Sequence, residues 1–375
     1  MKNKIHSAVL FTIYFIINMV FLIKYGARQN IIPLSVLCIG FLIVNVLMSR
    51  ISKSDLLIKK INTKSNYILV IIITVIYLVF CHLLNDPVKL NIDRWETLNY
   101  STENWLQGNF FYDKVNHLGN KSSYLPGQLL LAAPFYLLGN VGYLQIAVFL
   151  LFCYALMRQF GNHVLVFQGI LMLGVSLSFN YEVICKSDFI SSFVVAATFI
   201  LLWHQKFRDN YFKRSFLLGL FLGIICLTRS AVIIPIILFL MSSFVKADAK
   251  SILKIGMGFI ISSGLLLASV LLPAKDLQTI YDHNPLLLQG QSNTIVSAFL
   301  IAITLVVSVF VKKINDVYYY SSYFLFALMA CYLLEQYIVW ETNYFESAYF
   351  ATTYLAAGLP FCIIGYCFAL EERQK

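Results

Sequence analysis

The feature that most limits what this chain can become is a near-unbroken series of apolar runs. A helix needs about 20 apolar residues to cross the hydrocarbon core, with a range of roughly 17–25. Runs near that length are Ala8–Ile23, Ile31–Met48, Tyr67–Leu84, Val141–Met157, Val164–Phe179, Phe189–Trp203, Phe216–Leu227, Ala231–Val245, Ile252–Leu272, Thr294–Val311, Val317–Leu334 and Ala351–Leu370. They predict an all-α polytopic membrane protein with about 12 transmembrane helices. Composition agrees, since only 12% of residues are charged where a soluble domain has about 25%.

Residues 1–375 read as one membrane domain. No gap between apolar runs is wide enough for a second domain, and the last run is followed only by EERQK, which predicts no appended soluble module. The N-terminal stretch is too long in its apolar part for a signal peptide and lacks a small-residue cleavage site, so it is expected to be a retained first helix. The net charge of +10 is spread between apolar runs rather than gathered in a patch, which argues against nucleic acid as a partner. Cysteines sit mostly inside apolar runs with no CxxC pair, as small buried hydrophobes do. No histidines pair at metal-ligand spacing, and no Walker A or GxGxxG motif precedes a helix.

The longest polar interval is 85–139, from Asn85 to Gly139. Inside it, Leu125–Leu138 is apolar but short and carries Pro126, Gly127 and Pro134, which suits an interfacial segment better than a span. If it does not cross and the N-terminus is cytoplasmic, roughly 19 of the 28 Lys and Arg residues face inward and roughly 12 of the 18 acids face outward. That arrangement satisfies the positive-inside rule, and a crossing would reverse every later loop. The expectation is therefore a plasma-membrane protein with both termini cytoplasmic and 85–139 as a first large outer-face loop with interfacial helices.

The outer loops then collect Asp93, Arg94, Glu96, Lys186, Asp188, Arg229, Asp282, His283, Glu341 and Glu346, interleaved with Trp and Tyr. Ionisable groups at membrane depth are costly and tend to be functional, and carboxylates beside aromatic platforms suit a carbohydrate. Plainer roles compete. Asp93-x-x-Glu96 fits a capping box. Asp188 fits the N-cap of Phe189–Trp203. Arg229 fits either a phosphate contact or an ion pair with Asp188, and interfacial Trp and Tyr serve as membrane anchors.

Four segments, in order, carry a resemblance: NIDRWE with Asp93; SSYLPGQLLLAAPFYLLG; YEVICKSDFISSFVVAATF with Asp188; and LLGLFLGIICLTRSAVIIPIILFL with Arg229. Across roughly Asn91–Leu240 the chain resembles the GT-C superfamily of membrane glycosyltransferases, in the branch of protein O-mannosyltransferases and lipid A aminoarabinose transferases. The resemblance implies that Asp93 is a catalytic base and that Asp188 and Arg229 lie near the donor phosphate or the acceptor. It departs from that branch in four ways. Arg94 stands where a second acid is usual, Tyr124-Leu125-Pro126 replaces a charged residue before a double proline, two helices precede the expected first span, and the C-terminal part is short, with no soluble acceptor-binding domain expected.

The expected activity is inverting transfer of a sugar from a polyprenyl-phosphate donor to an acceptor on the outer face. The acceptor would be a glycolipid, wall polymer, polysaccharide or protein. Lys186, Arg94, Glu96 and Glu341 join Asp188 and Arg229 as candidate substrate-binding residues, with membrane lipid as the surrounding partner. A divalent cation at Asp188 is the one cofactor suggested. The alternatives are a transporter or flippase of a lipid-linked sugar, and a polysaccharide polymerase or ligase.

Overall fold

In the computed structural model, the described residues are 2–29, 31–53, 55–84, 86, 92–289, 294–339 and 352–374. The candidate Glu341, together with Trp340, Tyr344, Glu346 and residues 85 and 87–91 of the polar interval, lies outside them. The helices are α1 (Lys2–Gly26), α2 (Leu34–Arg50), α3 (Asp55–Lys60), α4 (Thr63–Leu83), α5 (Asp93–Leu106), α6 (Pro126–Leu137), α7 (Tyr143–Gln159), α8 (His163–Gly174), α9 (Leu177–Cys185), α10 (Phe189–Phe207), α11 (Ser215–Cys226), α12 (Ile233–Phe244), α13 (Ala249–Leu271), α14 (Leu277–Asp282), α15 (Pro285–Gln289), α16 (Thr294–Phe310), α17 (Ile314–Val339) and α18 (Leu359–Gln374). Among the described residues there is no strand, only an isolated bridge between Val115 and Lys121. Among the described residues, six helices are long and apolar enough to span a bilayer, and five shorter apolar helices accompany them.

The bundle is built round α18. A helix that is apolar on every side must be buried on every side, and each residue from Leu359 to Leu370 is buried, against α1, α8, α10 and α17. By contrast, α13 leaves Leu253, Ile260 and Leu265 exposed, as a lipid-facing helix should.

The run Val164–Phe179 is not one straight helix. α8 and α9 meet at a 55° bend. Ser176 begins a new helix there, accepting the Phe179 N–H at 3.4 Å and donating to the buried Asn18 side chain at 2.8 Å. The Asn18 oxygen also takes the Ser178 N–H at 3.2 Å. A polar side chain from α1 thus supplies what the broken backbone ladder loses, which hydropathy alone does not register.

α6 has 12 residues, which at 1.5 Å per residue gives about 18 Å, well short of a hydrocarbon core of about 30 Å. Pro126 opens it at a first-turn position where no N–H is needed. The Gly127 N–H donates to the Leu227 carbonyl at 3.0 Å, joining α6 to the end of α11.

α11 and α13 cross at glycines. A Cβ on Gly219 would lie 2.2 Å from the Ile255 carbonyl oxygen, and one on Gly258 would lie 2.3 Å from that of Phe216. Such backbone approach is how small residues pack helices in lipid. Gly219→Leu is expected to force the pair apart at a cost of at least about 1–3 kcal/mol, seen as a lower thermal midpoint in lipid nanodiscs; an unchanged midpoint would refute the close packing.

Polar contacts gather at two ends of the bundle. At one end Thr63 meets His163 at 3.3 Å, Asn162 meets Gln374 at 2.9 Å, Gln205 meets Gln159 at 3.0 Å and Asn315 meets Glu372 at 2.8 Å. At the other lie the end of α4, the start of α5, the loop before α6, the break between α9 and α10 and the break after α11.

Candidate functional site

That second end carries the charged cluster. Ile92 holds the N-cap position of α5 and offers no side-chain cap, so Asp93 is the first helical residue and the Asp93–Glu96 capping box does not form. The reason is a shift of one residue in the helix start, which frees both carboxylates. The Asp93 Oδ2 accepts from the Asn120 side-chain amide at 2.9 Å. Glu96 accepts the His117 N–H at 3.2 Å and pairs with its ring Nδ1. It braces the loop between α5 and α6 and touches neither Asp188 nor Arg229.

At α10 the expected cap is also displaced. Asp188 occupies the N-cap position but makes no side-chain cap bond. Glu182, from α9, caps instead, accepting the Ile190 N–H at 2.5 Å, the Ser191 N–H at 2.6 Å and the Ser191 hydroxyl at 2.7 Å. Asp188, fully buried, is thereby left to Arg229. The Arg229 Nη2 lies 2.8 Å from each Asp188 carboxylate oxygen and its Nε lies 3.2 Å from Oδ2. The guanidinium carbon sits 5.6 Å from the Tyr124 ring centre and 5.5 Å from that of Phe189. Two aromatic rings within about 6 Å and a carboxylate at the donor fork satisfy most of what a largely buried guanidinium requires.

Tyr124 joins this pair to α5. It is buried, and its hydroxyl donates to the Arg94 carbonyl at 3.0 Å. Burial and then Asp188 push its phenol well above the ordinary value, Arg229 and Arg94 pull it down, and Asp93 pushes it up, so all four charges act on one hydroxyl. The Arg94 guanidinium lies 5.8 Å from the Tyr354 ring centre, and Tyr354 packs on Phe189 with centroids 4.9 Å apart. Among the described residues no carboxylate pairs with Arg94.

Lys186 ends α9 in the left-handed conformation, with φ +47°. It is buried, and its Nζ sits 3.3 Å from the Trp95 ring centre, a cation–π contact with no carboxylate partner among the described residues. Burial lowers its pKa from 10.5 to about 8. Between those values the unfolded chain holds the proton that the folded chain has released, so stability rises with pH across that window. The expected result is a rising thermal midpoint from pH 8 to pH 10 that flattens in Lys186→Met; an equal slope in both proteins would remove Lys186 as its source.

Beside Arg229 opens a cavity of about 240 Å³. Its wall is apolar, from Phe189, Phe193, Ile233, Ile234, Ile301, Leu328, Met329, Tyr332 and Tyr354, and its polar end holds Arg229, Ser230, Ser123 and Gln289. The Gln289 side chain closes that end, donating to the Ser123 carbonyl at 2.7 Å and accepting the Ser230 N–H at 3.2 Å.

The structure thus brings Asp93, Arg94, Lys186, Asp188 and Arg229 to one end of the bundle and gives Glu96 a bracing contact. Sequence reading missed Asn120, His117, Glu182 and Gln289. Their partners lie from 8 to 166 positions away, beyond the reach of local spacing. Tyr124 stands in a quoted segment but without an assigned role. Among the described residues no group of three His, Cys, Asp or Glu side chains is arranged to hold a metal ion.

The class these features define is an all-helical membrane-embedded protein with a buried ionic cluster at one end. No protein-family model, no curated protein and no solved structure matches this chain.

Proposed function

We propose that this protein is a membrane glycosyltransferase that moves a sugar from a polyprenyl-phosphate donor to an acceptor hydroxyl on the outer face of the plasma membrane. The observation that carries this reading is the apolar cavity whose polar end is built by Arg229 and lies at the same end of the bundle as Asp93. An apolar wall ending at the Arg229–Asp188 pair, with Arg94 against Tyr354 of that wall, suits a lipid tail ending in a phosphate. On this reading the termini are cytoplasmic and that end faces outward, a sidedness that rests on the charge asymmetry of the loops.

In this mechanism Asp93 takes the proton of the acceptor hydroxyl as its oxygen attacks the anomeric carbon. The bond from that carbon to the phosphate oxygen breaks on the opposite side, configuration inverts, and the polyprenyl phosphate leaves with the electron pair. Arg229 is already neutralised by Asp188, so the pair shapes the end of the lipid cavity. Arg94 and Lys186, which lack carboxylate partners among the described residues, supply the positive charge for the departing phosphate.

The test is purified protein in lipid nanodiscs, given a radiolabelled polyprenyl-phosphate hexose and an envelope acceptor fraction. Label is expected to pass from the lipid donor to the acceptor, and not from a water-soluble nucleotide sugar. Movement of the intact donor across a proteoliposome membrane without transfer would replace this reading with transport.

A further inference from the structure

The Asp93 carboxylate is held by a closed ring of hydrogen bonds that sequence spacing does not announce. The Asn120 amide donates to Asp93 Oδ2 at 2.9 Å. The Asn120 backbone N–H donates to the Asn116 side-chain oxygen at 3.0 Å. The Asn116 amide donates to the Thr97 hydroxyl at 2.9 Å, and that hydroxyl donates to the Asp93 carbonyl at 2.7 Å. The turn that makes this geometry reachable is closed by the Asn116 N–H on the Asn120 carbonyl at 3.0 Å and passes through Gly119 at φ +81°. A second contact, His117 on Glu96, clamps the same turn to the next helical turn of α5.

Every donor in the ring has one acceptor, and Asn116 and Thr97 are buried. The ring fixes one carboxylate oxygen and leaves the other, Oδ1, without a hydrogen bond from any described residue. A carboxylate that must receive a proton from an incoming hydroxyl requires that arrangement: one oxygen held, one presented.

We infer that Asn120 is the positioning residue for Asp93, orienting its carboxylate so that Oδ1 faces the acceptor hydroxyl. This rests on the glycosyltransferase reading, and it names which residue outside the charged cluster the chemistry depends on. Asn120 touches neither donor nor acceptor in this role. Its loss therefore lowers the rate of the chemical step without changing affinity for the lipid donor.

The experiment is a double-mutant cycle between Asn120→Ala and Asp93→Asn, assayed with the radiolabelled polyprenyl-phosphate hexose and envelope fraction in nanodiscs. Asn120→Ala is expected to lower kcat about tenfold with the KM for the donor and the thermal midpoint unchanged. Asn120→Gln, which retains the amide on a longer arm, is expected to restore part of the rate. In the Asp93→Asn background Asn120→Ala is expected to cost nothing further, because the group it orients is gone. An equal loss in both backgrounds, or no loss in either, overturns the inference. Wild-type transfer by Asp93→Asn alone overturns the base assignment instead, so the two failures are distinct. A measurement independent of turnover completes the test. The wild-type minus Asp93→Asn infrared difference isolates the Asp93 carboxylate bands, which are expected to move in Asn120→Ala. Bands that stay in place overturn the inference whatever the sugar.

Discussion

Asp93→Asn is expected to lower kcat for sugar transfer by about 10²–10⁴-fold while leaving donor binding intact, the range for loss of a positioned general base. That corresponds to about 3–5 kcal/mol in the barrier. The substitution is nearly isosteric, and the new side-chain oxygen still accepts from Asn120 at the position where Asp93 Oδ2 lies 2.9 Å from the amide. What it removes is proton affinity. The geometry of α5, the turn through Gly119 and the cation–π contact of Lys186 with Trp95 all remain, so the fold and the phosphate-facing cations are expected to survive. Rate and donor affinity should therefore separate cleanly in single-turnover assays. Parallel losses of both would assign Asp93 to donor binding, and an unchanged rate would remove it from the chemistry.

The second large effect concerns stability. Asp188→Ala is expected to destabilise the folded protein by about 3–5 kcal/mol, the usual result of removing one member of a buried ion pair. The carboxylate is fully buried. Its removal leaves the Arg229 guanidinium between Tyr124 and Phe189 without the bonds it makes at 2.8 Å. The cost arises from the stranded charge rather than from the pair's net contribution, because two ions taken from water into a low-dielectric interior lose much of what they regain from each other. The double variant Asp188→Leu with Arg229→Met is therefore expected to recover most of the loss. Thermal unfolding in nanodiscs compares the three proteins. If the double variant is as unstable as Asp188→Ala, packing at this junction rather than stranded charge is responsible.

The gross architecture was legible because hydropathy reports directly on the solvent a helix meets. The six helices that are long and apolar enough to cross a bilayer, among the described residues, each overlie one of the apolar runs. The short Leu125–Leu138 run emerges as α6, too short to span. The break in Val164–Phe179 was not legible, since it depends on Asn18 reaching across from α1 to satisfy Ser176 and Ser178.

At the site, residue types could be read, but partners could not. Asp93 with Glu96, and Asp188 before Phe189, carry local patterns that suit helix caps. In the folded chain Ile92 takes the first cap position and Glu182 supplies the capping bonds at the second, which releases Asp93 to Asn120 and Asp188 to Arg229. Local spacing scores only contacts within a helical turn, whereas these bonds join residues 27 and 41 positions apart.

The sequence by itself determined that this chain must be a bundle of apolar helices with few charges, most of them between the apolar runs. Apolar length and charge asymmetry are additive along the chain and need no partner to act. Only the tertiary structure decided which acid is held by an amide, which is consumed by an arginine and which cations stand without a carboxylate among the described residues. Those outcomes follow from burial, and burial exists only once distant segments have packed.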